Sequence, residues 1–309
     1  MGYHNIGHVS LQALMEHCRV FGDEIAAVVT HADAPGENIW FASVRELAFK
    51  NHLPVYQPDN PNDPAFVAAM AKLKPDFLFS CYYRHMLQQP LLDLPRLGAL
   101  NLHGSLLPRY RGRCPVNWVL IHGEEETGVT LHYMEVKPDK GEIVAQKRVP
   151  ITPEDSALTL FAGMTAAAGE LMQEIYPALR QGAAPKITQD HSQASYFGGR
   201  RPEDGRIDWQ QGAKEIYNLV RAVTHPYPGA FTTFQGRRLF IWWGQPLTAA
   251  RSQPQGAPGQ ILACLPGEGL LTATARGHFL ITRAQWEGEP EFLGPVLATW
   301  GEMVGQKLG

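Results

Sequence analysis

Short apolar runs alternate with amphipathic, helix-like stretches over the first hundred residues of this chain. Their periodicity predicts buried strands and intervening helices, with strands at Glu24–Thr30, Pro54–Tyr56 and Phe77–Cys81 and helices at Val9–His17, Val44–Asn51 and Asp63–Leu73. Repeated strand–helix–strand units of this size indicate an α/β fold with a parallel, doubly wound, Rossmann-like sheet. The phosphate-binding pattern G-x-G-x-x-G is absent, so the sequence gives no reason to infer NAD binding.

A change of composition divides the chain into two parts. The stretch Gln181–Gly205 is rich in Gln, Gly, Ser and Pro and poor in large apolar residues. Beyond it, one helical pattern at Ile216–Val223 precedes about five short strand patterns with glycine-bearing turns, which suits a small β-barrel. We therefore predict an N-terminal α/β domain over residues 1–190, a linker over 191–205 and a β domain over 206–309.

The overall composition excludes several classes of protein. With 309 residues, 44% hydrophobic and 18% charged, the chain is typical of a globular protein rather than a disordered or fibrous one. Its formal net charge of -3 provides no general attraction to nucleic acid or anionic membranes. The four cysteines form no C-x-x-C pair, which favours a reducing cytoplasm over a disulfide framework or a zinc site. No apolar run is long enough for a membrane span, and the first residues lack a signal peptide's features.

The segment Ala99–Leu102 alternates like a buried strand and then breaks into a loop that contains glycine, proline and arginine. Asn101 and His103 therefore lie near the carboxyl end of a strand, where open α/β sheets bind ligands. An asparagine amide can donate to a developing oxyanion, and a histidine can move a proton near neutral pH. Their spacing places both side chains on the same face if the strand continues to His103.

A turn at Pro138–Gly141 separates two strand patterns, Gly128–Tyr133 and Ile143–Val149, and places Asp139 at its tip. If the fold brings this turn to His103, the carboxylate fixes the tautomer of the imidazole and raises its pKa. The alternatives are that Asp139 only stabilises its own turn and that the histidine only bonds to a loop backbone. No set of residues with metal-ligand spacing occurs, so no metal is expected.

Three spaced motifs occur in this order: Asn-x-His-Gly-Ser-Leu-Leu-Pro-x-x-Arg-Gly from Asn101, Glu-Thr-Gly-Val-Thr from Glu126, and Asp-x-Gly-x-Ile from Asp139. Together they resemble the formyltransferases that use 10-formyltetrahydrofolate, and the resemblance covers nearly the whole chain. Within that family, the chain is most similar to enzymes that formylate UDP-4-amino-4-deoxy-L-arabinose, a step of lipid A modification in polymyxin resistance.

The resemblance implies an OB-like C-terminal domain and assigns roles to individual residues. Asn101, His103 and Asp139 match the family's catalytic positions. The residues that match folate contacts are His85, Met86, Leu87, Arg113, Glu135, Val136, Lys137, Pro138 and Asp139. A flat pterin ring needs apolar walls and backbone hydrogen bonds. Core packing is the alternative for Met86 and Leu87.

Related formyltransferases open with an apolar strand just before the segment that matches Gly2–Gly7, and here that strand is almost entirely missing. We therefore expect either a truncated first strand or a start that lies further upstream. A sheet without this strand would leave backbone groups of its neighbours unpaired.

The acceptor of the formyl group is the main question that the sequence leaves open. A nucleotide-linked amino sugar is favoured over methionyl-tRNA, because basic and acidic residues are nearly balanced from Arg200 to Gly309. Arg200 and Arg201 could bind a diphosphate, or they could be a solvated pair in the linker. The same residues would also suit a formyltetrahydrofolate hydrolase or a non-catalytic binder of folate or nucleotide sugar. Neither a nucleic-acid partner nor membrane insertion is expected, and the oligomeric state is left open.

Overall fold

The computed structural model describes residues 1–247 and 255–309. The helices are α1 (His4–Phe21), α2 (Val44–Lys50), α3 (Pro64–Lys72), α4 (Gln89–Leu92), α5 (Pro115–Ile121), α6 (Ala157–Arg180), α7 (Ala213–Val223) and α8 (Gly294–Leu297). The strands are β1 (Val28–Val29), β2 (Val55–Tyr56), β3 (Phe77–Cys81), β4 (Gly98–His103), β5 (Arg111–Gly112), β6 (Glu126–Tyr133), β7 (Ile143–Pro150), β8 (Tyr196–Phe197), β9 (Ala230–Phe234), β10 (Arg237–Leu247), β11 (Ile261–Leu265), β12 (Gly269–Ala273), β13 (His278–Trp286) and β14 (Glu291–Leu293). Short 3-10 helices cover His191–Gln193, Pro202–Gly205 and Gly301–Met303.

The chain forms two compact units, and neither is one continuous segment. The first contains Met1–Pro115, Glu125–Ile151 and Phe161–Gly198, and the second contains Val116–Glu124, Thr152–Leu160 and Gly199–Gly309. The division at Gly198 falls inside the 191–205 linker of the sequence analysis. Val116–Glu124 and Thr152–Leu160 also belong to the second unit, although they come from the N-terminal half of the chain. Their composition did not predict this.

The first unit contains a four-stranded sheet in the order β3-β4-β6-β7, with β1 and β2 as a separate parallel pair. β4 runs parallel to β3, whereas β6 is antiparallel to both β4 and β7. The sheet is therefore mixed and not wholly parallel as predicted. The short turn between β6 and β7 accounts for that antiparallel pair, since parallel neighbours need a long crossover. The antiparallel pairing of β6 with β4 follows a long connection and had no signal in the sequence.

Helix α3 begins where short-range signals place it, whereas α1 does not. Asp63 caps α3, its side chain accepting the N–H of Ala65, and Pro64 fills the first turn. α1 is longer than its apolar pattern predicted, and it ends at Gly22 in the left-handed conformation. Near its start, a Cβ on Gly7 would lie 3.0 Å from Gly2 and 3.1 Å from the Cys81 carbonyl. Glycine therefore lets the helix approach the backbone of the sheet.

Residues Met1–Tyr3 occupy the space between β1 and β3. The N–H of Gly2 donates to the Val29 carbonyl (2.9 Å), and the N–H of Cys81 donates to the Met1 carbonyl (2.9 Å). The Met1 ammonium donates to the Phe79 carbonyl at 2.6 Å. Behind Met1, a cavity of about 680 Å³ runs between residues 24–28 and 76–79. Residues Met1–Tyr3 thus connect β1 and β3 through backbone hydrogen bonds.

The second unit is built on an antiparallel sheet in the order β11-β12-β13-β10-β9, with β14 added to β13. The C-terminal segment forms backbone hydrogen bonds at both edges of this sheet. Gly305 and Leu308 donate to the carbonyls of Ile261 and Gly259 beside β11, while Gly309 donates to Thr233 on β9. The last residues thus bond to both edges of this sheet, and no pair of strands among the described residues closes it into a barrel.

Candidate active site

Asn101 and His103 lie on β4, the strand flanked by β3 and β6 in the first unit. Strand geometry continues to His103, so the two side chains project from the same face of the sheet. In the antiparallel register, Asn101 is opposite His132 and His103 is opposite Thr130. His103 is buried, whereas Asn101 is half-buried and accessible to a ligand.

The loop after β4 is held by side chains of the neighbouring hairpin. Thr130 donates to the Ser105 carbonyl (2.6 Å) and accepts the N–H of Leu107 (3.1 Å). Gln146 on β7 donates to the Leu107 carbonyl at 2.9 Å. Because these bonds are buried or partly buried, they fix the path of the chain just beyond His103.

Asp139 is brought to this site by the turn between β6 and β7. Its Oδ1 is 3.6 Å from Nδ1 of His103 and 3.7 Å from Nε2 of His132, and its Oδ2 accepts the N–H of Gly112 at 2.8 Å. The residue adopts a left-handed backbone with φ 57°, a conformation that aspartate tolerates better than most residues. The structure thus brings together Asn101, His103 and Asp139.

Two glycines allow this approach. A Cβ on Gly112 would lie 2.2 Å from the Phe197 carbonyl, and Gly112 also has a φ of 96°. A Cβ on Gly141 would lie 1.9 Å from the Tyr133 carbonyl. Any larger residue at either position would displace the backbone that holds the Asp139 carboxylate.

The ring of His103 makes one hydrogen bond to the main chain. Nε2 donates to the Tyr110 carbonyl at 2.8 Å, because a carbonyl oxygen can only accept. Burial lowers the pKa of His103, and the smaller effect of Asp139 acts in the opposite direction. The sequence-based expectation of a raised pKa was therefore wrong in its net direction. The carboxylate does act as expected, but removing water from the imidazolium has the larger effect.

Asp139 itself stays ionised. Burial opposes ionisation, but the imidazole rings of His103 and His132 and the N–H of Gly112 together lower the pKa of Asp139 to about 2. A permanent carboxylate beside a neutral imidazole is the arrangement that proton transfer near neutral pH requires.

A buried arginine, the one that precedes Gly112 in the motif from Asn101, supports the same turn, and the sequence analysis gave it no role. Arg111 is 1% exposed, and its guanidinium donates to Oε1 of Gln189 at 2.5 Å and contacts Nδ1 of His191 at 2.9 Å. Gln189 in turn donates to the carbonyls of Asp139 (3.0 Å) and Gly141 (2.7 Å). The backbone of the turn is thus clamped by side chains distant in sequence.

The first predicted folate segment follows β3 and contains His85, Met86 and Leu87. Leu87 is 3% exposed and packs in the core, so the core-packing alternative holds for it, whereas Met86 is 57% exposed. Asn62 donates to the Met86 carbonyl (2.9 Å) and accepts the N–H of Gln88 (2.8 Å), which fixes the segment. The sequence analysis missed this role of Asn62.

The second predicted folate segment, Glu135–Pro138, is exposed and leads directly into Asp139. Val136 within it is 56% exposed. The Arg113 side chain is also exposed, and the backbone N–H of this residue donates to the Phe197 carbonyl at 2.9 Å. Exposed Met86 and Val136 leave apolar surface uncovered, and backbone groups lie beside them, so these residues fit a flat apolar ring.

Arg200 and Arg201 belong to the second unit, beside the 3-10 helix Pro202–Gly205. The Arg200 guanidinium donates to the Asp204 carbonyl at 2.7 Å and lies 4.8 Å from the centre of the Trp118 ring. The Arg201 side chain is exposed.

Two kinds of feature are absent from residues 1–247 and 255–309. No group of His, Cys, Asp and Glu side chains there is arranged to hold a metal ion. None of the helices in these ranges combines the length and apolar character that a membrane crossing requires.

Solved structures with a similar fold share little sequence identity with this chain. An N-formyltransferase from Helicobacter canadensis, in complex with folinic acid and dTDP-3-aminofucose, matches with a TM-score of 0.68 and 19% identity, over 92% of this chain and 97% of that one. HypX from Aquifex aeolicus matches with a TM-score of 0.57 and 20% identity over 80% of this chain, and this chain spans only 42% of HypX. Methionyl-tRNA formyltransferase from Clostridium thermocellum matches with a TM-score of 0.53 and 14% identity over 72% and 94%. These likenesses establish the fold.

Two family models match the sequence itself. The model of the formyl transferase family matches residues 6–176, which include Asn101, His103 and Asp139. The model of the formyl transferase C-terminal domain matches residues 200–295 in the second unit. Together the two models cover most of the sequence, and the chain belongs to the formyl transferase family, whose members are enzymes of formyl transfer.

Proposed function

We propose that this enzyme transfers the formyl group of 10-formyltetrahydrofolate to the amine of a nucleotide-linked amino sugar, with UDP-4-amino-4-deoxy-L-arabinose as the substrate. The observation that carries the proposal is the cluster of Asn101, His103 and Asp139 on and beside β4. It combines an amide donor, a neutral imidazole and a permanent carboxylate at one face of the sheet, where Asn101 is half-buried and the other two side chains are largely buried.

Each of these residues has a defined part in formyl transfer to nitrogen. When bound, 10-formyltetrahydrofolate supplies the formyl group. Asn101 donates an N–H to the formyl oxygen, on which negative charge develops during attack by the amine, and such a donor contributes about 3 kcal/mol. His103 accepts the proton that the amine loses and passes it toward the leaving nitrogen. Asp139 orients the imidazole and stabilises its charged form.

The exposed apolar residues beside this cluster support the folate part of the proposal. Met86 and Val136, together with the backbone of residues 85–87 and 135–139, would hold the pterin ring close to His103. Arg113, exposed after Gly112, would contact the polar part of the folate.

Two observations favour an amino sugar over methionyl-tRNA as the acceptor. The Helicobacter canadensis enzyme with the same fold has a dTDP-amino sugar bound. The second unit carries a near balance of basic and acidic residues, whereas a tRNA-binding surface would need an excess of basic side chains. Arg200 and Arg201 are the candidate contacts for the diphosphate. The proposal also implies a cytoplasmic location, which suits the free state of all four cysteines.

The test is mass spectrometry of acceptors incubated with the enzyme and 10-formyltetrahydrofolate. The acceptors are UDP-4-amino-4-deoxy-L-arabinose, a dTDP-linked 3-amino sugar and methionyl-tRNA, and the control is the His103→Ala variant. We expect a mass gain of one formyl group on the UDP sugar with the wild-type enzyme only. Formylation of methionyl-tRNA without turnover of either sugar would contradict the proposal, and so would release of formate without any formylated acceptor.

A further inference from the structure

His132 has no assigned role, but it lies directly across the sheet from Asn101. It is the β6 residue that pairs with Asn101 in the antiparallel register, and it is 1% exposed. Both of its ring nitrogens are engaged: Nδ1 is 2.7 Å from the Tyr133 carbonyl oxygen, and Nε2 is 3.2 Å from Nδ2 of Asn101.

These contacts determine which nitrogen carries the hydrogen whenever the ring of His132 holds only one. A carbonyl oxygen can only accept, so Nδ1 of His132 is the donor to Tyr133. The neutral ring then has a lone pair on Nε2, which accepts an N–H from the Asn101 amide. The opposite tautomer would place two lone pairs against each other at Tyr133 and two hydrogens against each other at Asn101.

The same reasoning fixes the orientation of the Asn101 amide. If the amide were flipped, its Oδ1 would face the Nε2 lone pair of His132, and two acceptors would be in contact. In this orientation, one N–H of Asn101 bonds to His132, and the other has no hydrogen-bond partner among the residues that the structure describes. A flipped amide would instead present its oxygen where negative charge is expected to develop.

We propose that His132 is a positioning residue for formyl transfer: its Nε2 holds the Asn101 amide with an N–H directed at the formyl oxygen. This inference rests on the proposed function, because it presumes the role of Asn101 as the oxyanion donor. Asp139 Oδ1 is 3.7 Å from the same nitrogen, beyond hydrogen-bond distance, whereas Nδ2 of Asn101 is 3.2 Å from it. The other oxygen of Asp139 accepts the N–H of Gly112.

Two variants separate positioning from simple packing. His132→Leu removes the acceptor, whereas His132→Gln keeps a side-chain oxygen that can accept from Asn101. We expect His132→Leu to lower kcat at least about tenfold, short of the roughly hundredfold to thousandfold loss for removing an oxyanion donor. The KM values of both substrates should stay within about twofold, since the contact acts on the transition state. His132→Gln should recover most of the lost kcat.

A double-mutant cycle identifies the partner through which His132 acts. In an Asn101→Ala background, His132→Leu should cause no further loss, because the amide that it positions is gone. In an Asp139→Asn background, His132→Leu should lower kcat by the same factor as it does in the wild-type background. Equal losses in the wild-type and Asn101→Ala backgrounds would overturn the inference, as would full activity of His132→Leu or a failure of His132→Gln to exceed it.

An NMR measurement tests this inference without enzymatic turnover. Its outcome therefore does not depend on whether the proposed function is right. Long-range ¹⁵N–¹H NMR of the imidazoles at neutral pH should show His132 protonated at Nδ1 only, and its Nε2 resonance should shift in Asn101→Ala. A hydrogen on Nε2 would overturn the inference even if the amino sugar is formylated. If the expected tautomer is seen but no sugar is formylated, the proposed acceptor is wrong and the contact between His132 and Asn101 stands.

Discussion

Single side chains limit the chemistry of this site through the hydrogen bonds that each can make. Nε2 of His103 donates to the Tyr110 carbonyl, and its Nδ1 faces the Asp139 carboxylate. Neither nitrogen is therefore open to a substrate amine in this conformation. For His103 to accept a proton at Nε2 when the amine is bound, Nε2 must release the Tyr110 carbonyl and the ring hydrogen must move to Nδ1, beside the Asp139 carboxylate.

The first residue-scale prediction concerns the two side chains that would contact the reacting atoms. Asn101→Ala should lower kcat about a hundredfold to a thousandfold, and His103→Ala about a hundredfold to ten-thousandfold. Folate affinity, measured by calorimetry, should change little because both roles arise mainly in the transition state. The exposed residue His52 provides the control His52→Asn, which should keep wild-type kcat. Near-normal turnover of either site variant would exclude the role given to that residue.

The second prediction follows from the pKa of His103. Because burial lowers this pKa, the ring stays neutral at pH values where an exposed histidine, with a pKa of about 6.5, is half protonated. The acid limb of kcat against pH should therefore have its midpoint below about 6.5. Asp139 raises the pKa of His103, so the Asp139→Asn variant should move this limb to still lower pH, alongside its loss of rate. A midpoint above that of free imidazole, or a shift to higher pH, would show that another group controls the rate.

At the scale of elements, the sheet of the first unit depends on a very short piece of chain. Met1–Tyr3 bond to both β1 and β3, and the cavity behind Met1 lies where a parallel strand would continue. Phe79 and Cys81 both bond to this piece of chain, so the edge of β3 that they share faces the cavity. Burial also lowers the pKa of the Met1 ammonium, which marks its position as unfavourable for a charge.

We predict that adding about five extended apolar residues, rich in Val and Ile, ahead of Met1 stabilises the protein. The added strand would pair with backbone groups whose burial without partners costs about 1–3 kcal/mol each. It would also replace the buried ammonium with an ordinary amide. Thermal unfolding should show a Tm increase of at least about 3 °C.

The matched control for this prediction is an added segment of the same length built from Gly, Ser and Pro. It also removes the ammonium, but it lacks both the apolar side chains and several N–H groups. Its Tm should stay well below that of the apolar version. Equal melting temperatures for the two added segments would contradict the explanation by strand pairing.

At the scale of the whole molecule, charge distinguishes the two candidate acceptors. The net charge of -3 and the near balance of charged residues in the second unit provide no strong field for a polyanion. A protein that neutralises several phosphates loses affinity steeply with salt, with a log-log slope of about -0.9 for each phosphate contact on B-form DNA. A nucleotide sugar offers only one diphosphate.

The corresponding prediction is a weak salt dependence of catalysis. Between about 50 and 200 mM salt, the KM for the UDP-amino sugar should rise by less than about fivefold. Arg200→Ala and Arg201→Ala should reduce this dependence if these side chains bind the diphosphate, and the exposed Arg45→Ala variant serves as the control. If the enzyme formylates methionyl-tRNA, and the rate of that reaction falls steeply as the salt concentration rises, the result would instead favour tRNA as the acceptor.

Local patterns in the sequence were enough to predict several features of this protein. The α/β character of the first half, the cap of α3 at Asp63, the hairpin around Asp139 and the change to β structure after residue 205 all depend on neighbouring residues. The chemistry that Asn101 and His103 can perform also follows from their residue types and from the end of their strand. These properties are encoded within a few residues, which is why periodicity and turn signals predict them.

Only the tertiary structure decided the features that depend on distant contacts. It placed Asp139 against His103, made His132 the partner of Asn101, clamped the turn with Arg111 and Gln189, and made the sheet mixed. It also reversed the expected direction of the His103 pKa, because that pKa depends on how completely other segments exclude water from the ring. Strand register and desolvation arise from packing between segments far apart in the chain, and no local pattern records them.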